Sequence, residues 1–226
     1  MDRAHFEDPD FVKRYAEGPG RYVPGYVAMQ QMAAQLIAER IGEGGRVLIL
    51  GAGGGLEIEA FARAYPRWRF LGVDPAKEML AAARTRAQAC GARADWVEGY
   101  IFDAPRERCD AATSLLTLHF VADDGAKLET LKAIRDRVKP GAPFVLVDLC
   151  MDKGAADYSL RLERYRRFAI NAGAAPDDVD NTVSRVRTII NTVAADRDEA
   201  LLAEAGFTNT ELFYAGHSWR GWVSYA

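Results

Sequence analysis

The chain has 226 residues, of which 49% are hydrophobic and 27% charged, and this composition suits one globular domain with a sizeable core. Its formal net charge of −3 argues against a broad nucleic-acid-binding surface, and no apolar run is long enough to span a bilayer. Cys90, Cys109 and Cys150 lack a C-x-x-C spacing, which argues against a disulfide framework or a zinc site. The mildly acidic charge favours small-molecule chemistry, and we expect no metal site. With no apolar signal region at the N-terminus, the sequence predicts a cytoplasmic protein.

Helical patterns near residues 8–17 and 25–41 come before the first predicted strand. Apolar runs and helical patterns then alternate along the chain. We predict strands at 46–50, 69–73, 94–98, 110–116 and 143–149, and helices at 54–65, 75–90 and 123–138. Such alternation is typical of a parallel sheet with helices on both faces.

The alternation stops after Asp148. Residues 154–192 have the pattern of two helices separated by 172–176, and a further helix is predicted near 196–205. Two alternating strands then follow at 208–214 and 218–225, joined by a turn at 215–217. A nicotinamide dehydrogenase would continue with parallel βα units here, so the terminal hairpin argues against that class. Trp219, Trp222 and Tyr225 are interpreted as the core of this hairpin.

A glycine turn follows the first strand, in the stretch Val47–Ile58. Gly51, Gly53 and Gly55 have the spacing G-x-G-x-G, which is neither the dinucleotide fingerprint nor a P-loop. The second strand ends on Asp74, at the interval where a carboxylate accepts hydrogen bonds from ribose hydroxyls. This combination predicts a nucleoside site, although the glycines also suit a tight turn and Asp74 also suits a helix cap.

The sequence resembles the class I S-adenosylmethionine-dependent methyltransferases from about Gly20 to the C-terminus. The resemblance rests on the glycine turn and on four further segments: Gly72–Pro75, Met79-Leu80, Leu131–Gly141 and Ala205-Gly206-Phe207. It implies an α/β fold, a Rossmann-like seven-stranded mixed sheet with helices on both faces. It further implies an N-terminal helical lid over residues 1–44, a cofactor-binding domain over 45–226 with a helical insertion at 154–192, and a homodimer.

The resemblance also implies which residues contact S-adenosylmethionine. The predicted contacts are Gly51, Ala52, Gly53, Gly55, Asp74, Pro75, Tyr100, Ile101 and Leu115. A Val-Pro-Gly-Tyr segment ending at Tyr26 is similar to one in carboxy-S-adenosylmethionine synthases, a branch of the superfamily, where the tyrosine contacts the cofactor. An aromatic face suits a sulfonium cation, but Tyr26 equally fits the buried stripe of an amphipathic helix.

His119 follows the fourth strand, where the methyl group is expected, and is the predicted general base. The alternative is that His119 is only a packing residue. The synthase branch has an asparagine at Leu115, a glutamine at His119 and a carboxylate-binding arginine near Arg185. Arg185 and Tyr165 are therefore predicted to contact substrate, although the arginines of this region also fit a solvated helix face.

These observations favour a methyltransferase that acts on an O, N or C nucleophile of a small molecule. Three alternatives stay open. A carboxy-S-adenosylmethionine synthase-like enzyme needs a carboxylate site near Arg185, and a tRNA methyltransferase needs a basic surface. A non-catalytic cofactor-binding protein would lack an acceptor pocket beside His119.

Overall fold

Seven strands form one mixed sheet in the computed structural model, which describes residues 4–226. The strand order is β3-β2-β1-β4-β5-β7-β6, with only β7 and β6 antiparallel to their neighbours. The strands are β1 Arg46–Leu50, β2 Arg69–Asp74, β3 Arg93–Glu98, β4 Ala111–Leu115, β5 Pro143–Leu149, β6 Thr208–Gly216 and β7 Trp219–Tyr225. This topology confirms the predicted fold class.

The helices cover both faces of the sheet. They are α1 Ala4–Glu7, α2 Pro9–Arg14, α3 Gly18–Tyr22, α4 Tyr26–Ile41, α5 Leu56–Ala64, α6 Lys77–Ala89, α7 Ala126–Arg135, α8 Tyr158–Asn171, α9 Pro176–Thr188 and α10 Ala195–Glu204. Helices α8 and α9 are the predicted insertion after the fifth strand. The pleat of β1 explains why both faces of the sheet are covered. Val47 and Ile49 belong to the buried cluster on one face, whereas Leu48 and Leu50 belong to the cluster on the other.

Some element bounds differ from the predicted ones. Helix α7 begins at Ala126 rather than at residue 123, because Gly125 takes a left-handed conformation and the Asp124 carboxylate caps the Ala126 N–H at 3.1 Å. Strand β6 continues to Gly216, so the hairpin turn falls at 217–218 instead of 215–217. The positive φ of His217 (52°) completes that turn.

The N-terminal segment folds as several short helices followed by the long helix α4. Its hydrogen bonds tie it to the terminal hairpin: the Tyr214 hydroxyl donates to the Pro24 carbonyl at 2.6 Å, and the Trp219 indole N–H donates to the Tyr22 carbonyl at 3.0 Å. Residues 1–3 of the predicted lid lie outside the described residues. The contacts hold the remainder of the segment at the carboxyl ends of β1, β4 and β5.

Candidate functional site

A cavity of about 320 Å³ opens at the carboxyl ends of β1 and β2. This edge of an open α/β sheet is the usual place for a ligand, because neighbouring connections diverge there. Six of the predicted cofactor contacts line it: Gly51, Gly53, Asp74, Pro75, Tyr100 and Ile101. The lining is mostly apolar, with Asp74 as its one carboxylate among the described residues.

The glycine turn brings the backbone to the wall of this cavity. Gly51 has a φ of +84°, and a Cβ there would collide with the side chain of Thr117. A Cβ on Gly53 would lie 2.7 Å from Asp74 Oδ2. Both positions therefore need glycine. Gly51 needs it for its backbone conformation and for the close approach of Thr117, and Gly53 needs it for the close approach of Asp74 alone.

Two backbone N–H groups fix the orientation of the Asp74 carboxylate. Its Oδ2 accepts a hydrogen bond from the Gly53 N–H at 2.9 Å, and its Oδ1 accepts one from the Ala76 N–H at 2.9 Å. Burial raises the pKa of Asp74, and these two backbone donors counteract that rise. The carboxylate thus has a fixed orientation in the cavity wall and retains lone pairs that can accept ribose hydroxyls.

The other four predicted cofactor contacts, Ala52, Gly55, Tyr26 and Leu115, do not line either cavity described here. Ala52 is buried beneath the loop, and Gly55 caps α5, where a Cβ would lie 2.9 Å from the Ala83 backbone. Leu115 points into the core. The Tyr26 hydroxyl accepts a hydrogen bond from Gln30 Nε2 at 2.9 Å, and its ring packs against the core.

Tyr15 is an aromatic residue of the N-terminal segment that lies beside the glycine loop. It lines both cavities, and its ring lies directly against Gly54, where any Cβ would meet it. Burial raises the pKa of the Tyr15 phenol, with Asp74 and Glu57 adding to the rise. The aromatic wall beside the glycine loop is therefore neutral.

A second cavity of about 640 Å³ adjoins the first. Phe6, Tyr15, Leu116 and Phe120 line both, so the two cavities meet at these side chains. Leu116 sits at this junction with a φ of 57°, an uncommon conformation for leucine that turns the chain sharply after β4. The turn explains why Leu116, and not the predicted Leu115, faces the ligand space.

His119 lines the second cavity and is oriented by a buried carboxylate. Its Nδ1 lies 2.6 Å from Asp148 Oδ1, and the same oxygen accepts the His119 backbone N–H at 2.8 Å. Because an ionised carboxylate can only accept, Nδ1 of His119 donates this hydrogen bond, which in a neutral imidazole leaves the lone pair of Nε2 free. An imidazole in this tautomer can accept a proton from an acceptor molecule.

Two further buried charges lie behind Asp148. The fully buried Lys127 ammonium is 3.6 Å from Asp148 Oδ2 and 3.5 Å from Asp198 Oδ1. Burial raises the pKa of Asp198, and the Cys150 thiol donates to its Oδ2 at 3.4 Å. The lysine thus lies next to the carboxylate that orients His119.

Both predicted substrate contacts, Arg185 and Tyr165, line the second cavity. Trp219 does so as well: it belongs to the hairpin core, at 5% exposure, but its ring also reaches the cavity. The sequence interpretation missed Tyr15, Asp148 and Lys127. Of these three residues, only Asp148 could have been identified from the sequence, because it lies near the carboxyl end of β5, beside the end of β4.

Glu57 is a buried carboxyl group below the glycine loop. Burial raises its pKa to about 8, although a hydrogen bond from the Thr113 hydroxyl lowers it. The folded state therefore retains a proton on Glu57 at pH values where the unfolded chain has lost it. Stability should fall as the pH rises from about 4.5, the ordinary value, to about 8, and then level off.

Glu57→Gln is expected to reduce this fall and to stabilise the protein at pH 9 by a few kcal/mol relative to the wild type. The amide stays neutral and keeps an acceptor for Thr113. Urea unfolding at pH 5, 7 and 9 measures the effect, with Glu78→Gln, an exposed carboxylate on α6, as the charge-matched control. If the stability of Glu57→Gln fell with pH as steeply as that of the wild type, the raised pKa of Glu57 would be contradicted.

The chain matches the family model described as a methyltransferase domain over residues 47–141. It is 25% identical over 210 residues to the carboxy-S-adenosyl-L-methionine synthase of Wolinella succinogenes, covering 91% of this chain and 84% of that protein.

Solved structures share the fold at low identity. An O-methyltransferase family protein from Burkholderia thailandensis superposes with a TM-score of 0.62 at 17% identity, over 88% of this chain. Human N-acetylserotonin methyltransferase in complex with S-adenosylmethionine superposes with a TM-score of 0.57 at 18% identity, over 97% of this chain. The chain spans 56% and 59% of the length of these two proteins.

The first cavity fits S-adenosylmethionine on its own geometry. Gly51 and Gly53 leave backbone exposed where side chains would collide, Asp74 is held with free acceptor capacity, and Tyr100 and Ile101 form the adjacent wall. Within residues 4–226, no helix is long and apolar enough to cross a membrane. Residues 47–141 thus match the methyltransferase domain family, and the chain is distantly homologous to the carboxy-S-adenosyl-L-methionine synthases.

Proposed function

We propose that the protein transfers the methyl group of S-adenosylmethionine to an O, N or C nucleophile of a small molecule, with His119 as general base. The observation that carries the proposal is the His119–Asp148 pair, in which Asp148 holds the imidazole through Nδ1 in the wall of the cavity adjoining the cofactor cavity. A protein that only binds the cofactor has no need of an oriented base beside an open second cavity.

Each group of residues has a separate role in the proposed reaction. Gly51 and Gly53 admit the cofactor, Asp74 binds its ribose, and Tyr100 and Ile101 contact its adenine. When bound, S-adenosylmethionine supplies an electrophilic methyl carbon. His119 accepts the proton of the acceptor through Nε2, while Asp148 holds the imidazole and balances its positive charge. Alignment of the acceptor and exclusion of water by Phe6, Tyr15 and Phe120 provide the remaining contribution.

A second candidate is synthesis of a carboxylated cofactor. It is favoured by the 25% identity to the Wolinella synthase and by Arg185 in the second cavity. Leu115 and His119 replace the asparagine and glutamine of the synthase branch, and the structure gives His119 a carboxylate partner. These differences favour methyl transfer as the primary proposal.

Mass spectrometry of the cofactor product tests the two proposals against each other. The purified protein is incubated with S-adenosylmethionine, with pooled small hydroxyl, amine and carbon acceptors, and with pooled small carboxylic acids as candidate carboxyl donors. Release of S-adenosylhomocysteine together with a methylated acceptor is the expected result. Formation of a carboxylated cofactor would support the second candidate, and no conversion by protein that binds the cofactor would contradict both.

A further inference from the structure

We propose that the acceptor is a flat aromatic molecule that presents a ring-bound hydroxyl group to His119. This inference rests on the proposed function, since it names the substrate class of the same site. Two independent features support it: the aromatic walls of the second cavity and the chemistry of His119, the one imidazole that lines this cavity among the described residues.

Aromatic rings surround His119 in an unbroken series of contacts. The imidazole lies 4.5 Å from the Phe120 ring and 5.6 Å from the Trp219 ring, measured between centroids. Trp219 lies 6.5 Å from Tyr165, which lies 5.7 Å from Tyr22. All five rings line the second cavity. A flat ring can meet such walls edge-to-face or offset, which are the favoured aromatic geometries.

These walls are fixed before any acceptor binds. The Trp219 indole is held by its hydrogen bond to the Tyr22 carbonyl, and it is 5% exposed. Tyr165 is 7% exposed, and burial raises the pKa of its phenol, so its ring stays neutral. A rigid aromatic cavity selects a rigid aromatic ligand, because neither partner loses much conformational freedom on binding.

The charged groups of the cavity lie mainly at its solvent edge and pair with each other. Arg21 forms a 2.9 Å ion pair with Glu17, and Arg14 lies 3.9 Å from Asp178. The buried part of the lining, by contrast, is apolar apart from His119 and includes Tyr165, Trp219, Leu149 and Ile190. Such a surface recognises the apolar faces of an acceptor rather than a dense array of polar groups.

The base itself favours an aromatic hydroxyl. A phenol has a pKa of about 10 and an imidazole one of about 6.5, so proton transfer between the ordinary groups is uphill by only about 3.5 units. An aliphatic hydroxyl resembles water, whose pKa is about 15.7. An imidazole base can therefore assist attack by a phenol oxygen far more readily than attack by an aliphatic one. In the reaction, the phenol oxygen forms a bond to the methyl carbon as the sulfonium–methyl bond breaks, and the phenol proton passes to His119.

The test compares acceptors that share size but differ in aromaticity. Phenol, catechol and 2-naphthol are assayed beside cyclohexanol, cyclohexane-1,2-diol and decahydro-2-naphthol, and S-adenosylhomocysteine and methyl ethers are quantified by mass spectrometry. At least one aromatic member should exceed its saturated counterpart by 100-fold or more in kcat/KM. Equal or preferred use of a saturated acceptor would overturn the inference but leave methyl transfer intact. No turnover of any aromatic member would overturn the inference as well, and failure of the broader acceptor pools would count separately against the proposed function.

Tyr165→Leu tests the wall directly, because Tyr165 lines the second cavity but not the first. Loss of one aromatic contact, about 0.5–1.5 kcal/mol, should raise KM for the best aromatic acceptor by about 2–12-fold and leave cofactor affinity unchanged. Tyr165→Phe should retain the wild-type KM. Leu160→Ala, an exposed change on the same helix, is the matched control. An unchanged KM in a folded Tyr165→Leu would contradict the aromatic wall.

Discussion

Replacing His119 by alanine is expected to lower kcat for a hydroxyl acceptor by about 10²–10⁴-fold, the range that general-base catalysis supplies. The change removes the imidazole from the wall of the second cavity, and His119 does not line the first cavity. The affinity for S-adenosylmethionine should therefore stay at its wild-type value. Steady-state kinetics and titration calorimetry measure the two quantities on the same preparation.

Two companion variants separate chemistry from packing at this position. His119→Gln preserves much of the side-chain volume and the hydrogen bond to Asp148, yet its amide is no base, so it should be as slow as alanine. Asp148→Asn keeps the imidazole but can stabilise the opposite tautomer, and it should also be slow. A wild-type rate in folded His119→Ala would remove the general base from the mechanism.

Asp74→Ala is expected to weaken S-adenosylmethionine binding by about 10²–10³-fold. The variant loses a charged acceptor for the ribose, and hydrogen bonds to charged groups contribute about 1.5–3 kcal/mol each. It also frees the Gly53 and Ala76 N–H groups, which now fix the glycine loop against the carboxylate. Calorimetric titration with S-adenosylhomocysteine measures the loss without the need for an acceptor.

The matched control for Asp74→Ala is Asp95→Ala. Asp95 lies on β3 and pairs with Arg46 at 2.9 Å, and its side chain is 74% exposed. The net charge changes equally in both variants, but only Asp74 faces the first cavity. Wild-type affinity in Asp74→Ala, or an equal loss in Asp95→Ala, would show that the ribose acceptor lies elsewhere.

Sequence patterns predicted the sheet because each strand carries its own local signal. The glycine turn, the short apolar runs and the terminal hairpin are consequences of backbone conformation and of side-chain alternation, which neighbouring residues determine. The strand order and the double layer then follow from the general rules for α/β folds. Helix α7 and the hairpin turn shifted by a few residues because single residues with positive φ, Gly125 and His217, set those boundaries.

The site was less predictable because its side chains meet through tertiary packing. Six of the predicted cofactor contacts lie on the glycine turn or near strand ends, where topology alone places them near the first cavity. Tyr15 lies against Gly54 only because the N-terminal segment folds back across the sheet edge. Lys127 belongs to α7 and reaches Asp148 through the core, over a separation that no local pattern records.

Tracing an isotope-labelled methyl group tests the central claim most directly. The protein is incubated with S-adenosylmethionine that carries carbon-13 in its methyl group, with the aromatic and pooled acceptors, and with pooled small carboxylic acids as candidate carboxyl donors. All products are then analysed by mass spectrometry. The account predicts that the label leaves the cofactor and appears on an acceptor, with one S-adenosylhomocysteine formed per label transferred. Label retained in a carboxylated cofactor, or left untransferred by protein that binds the cofactor, would contradict it.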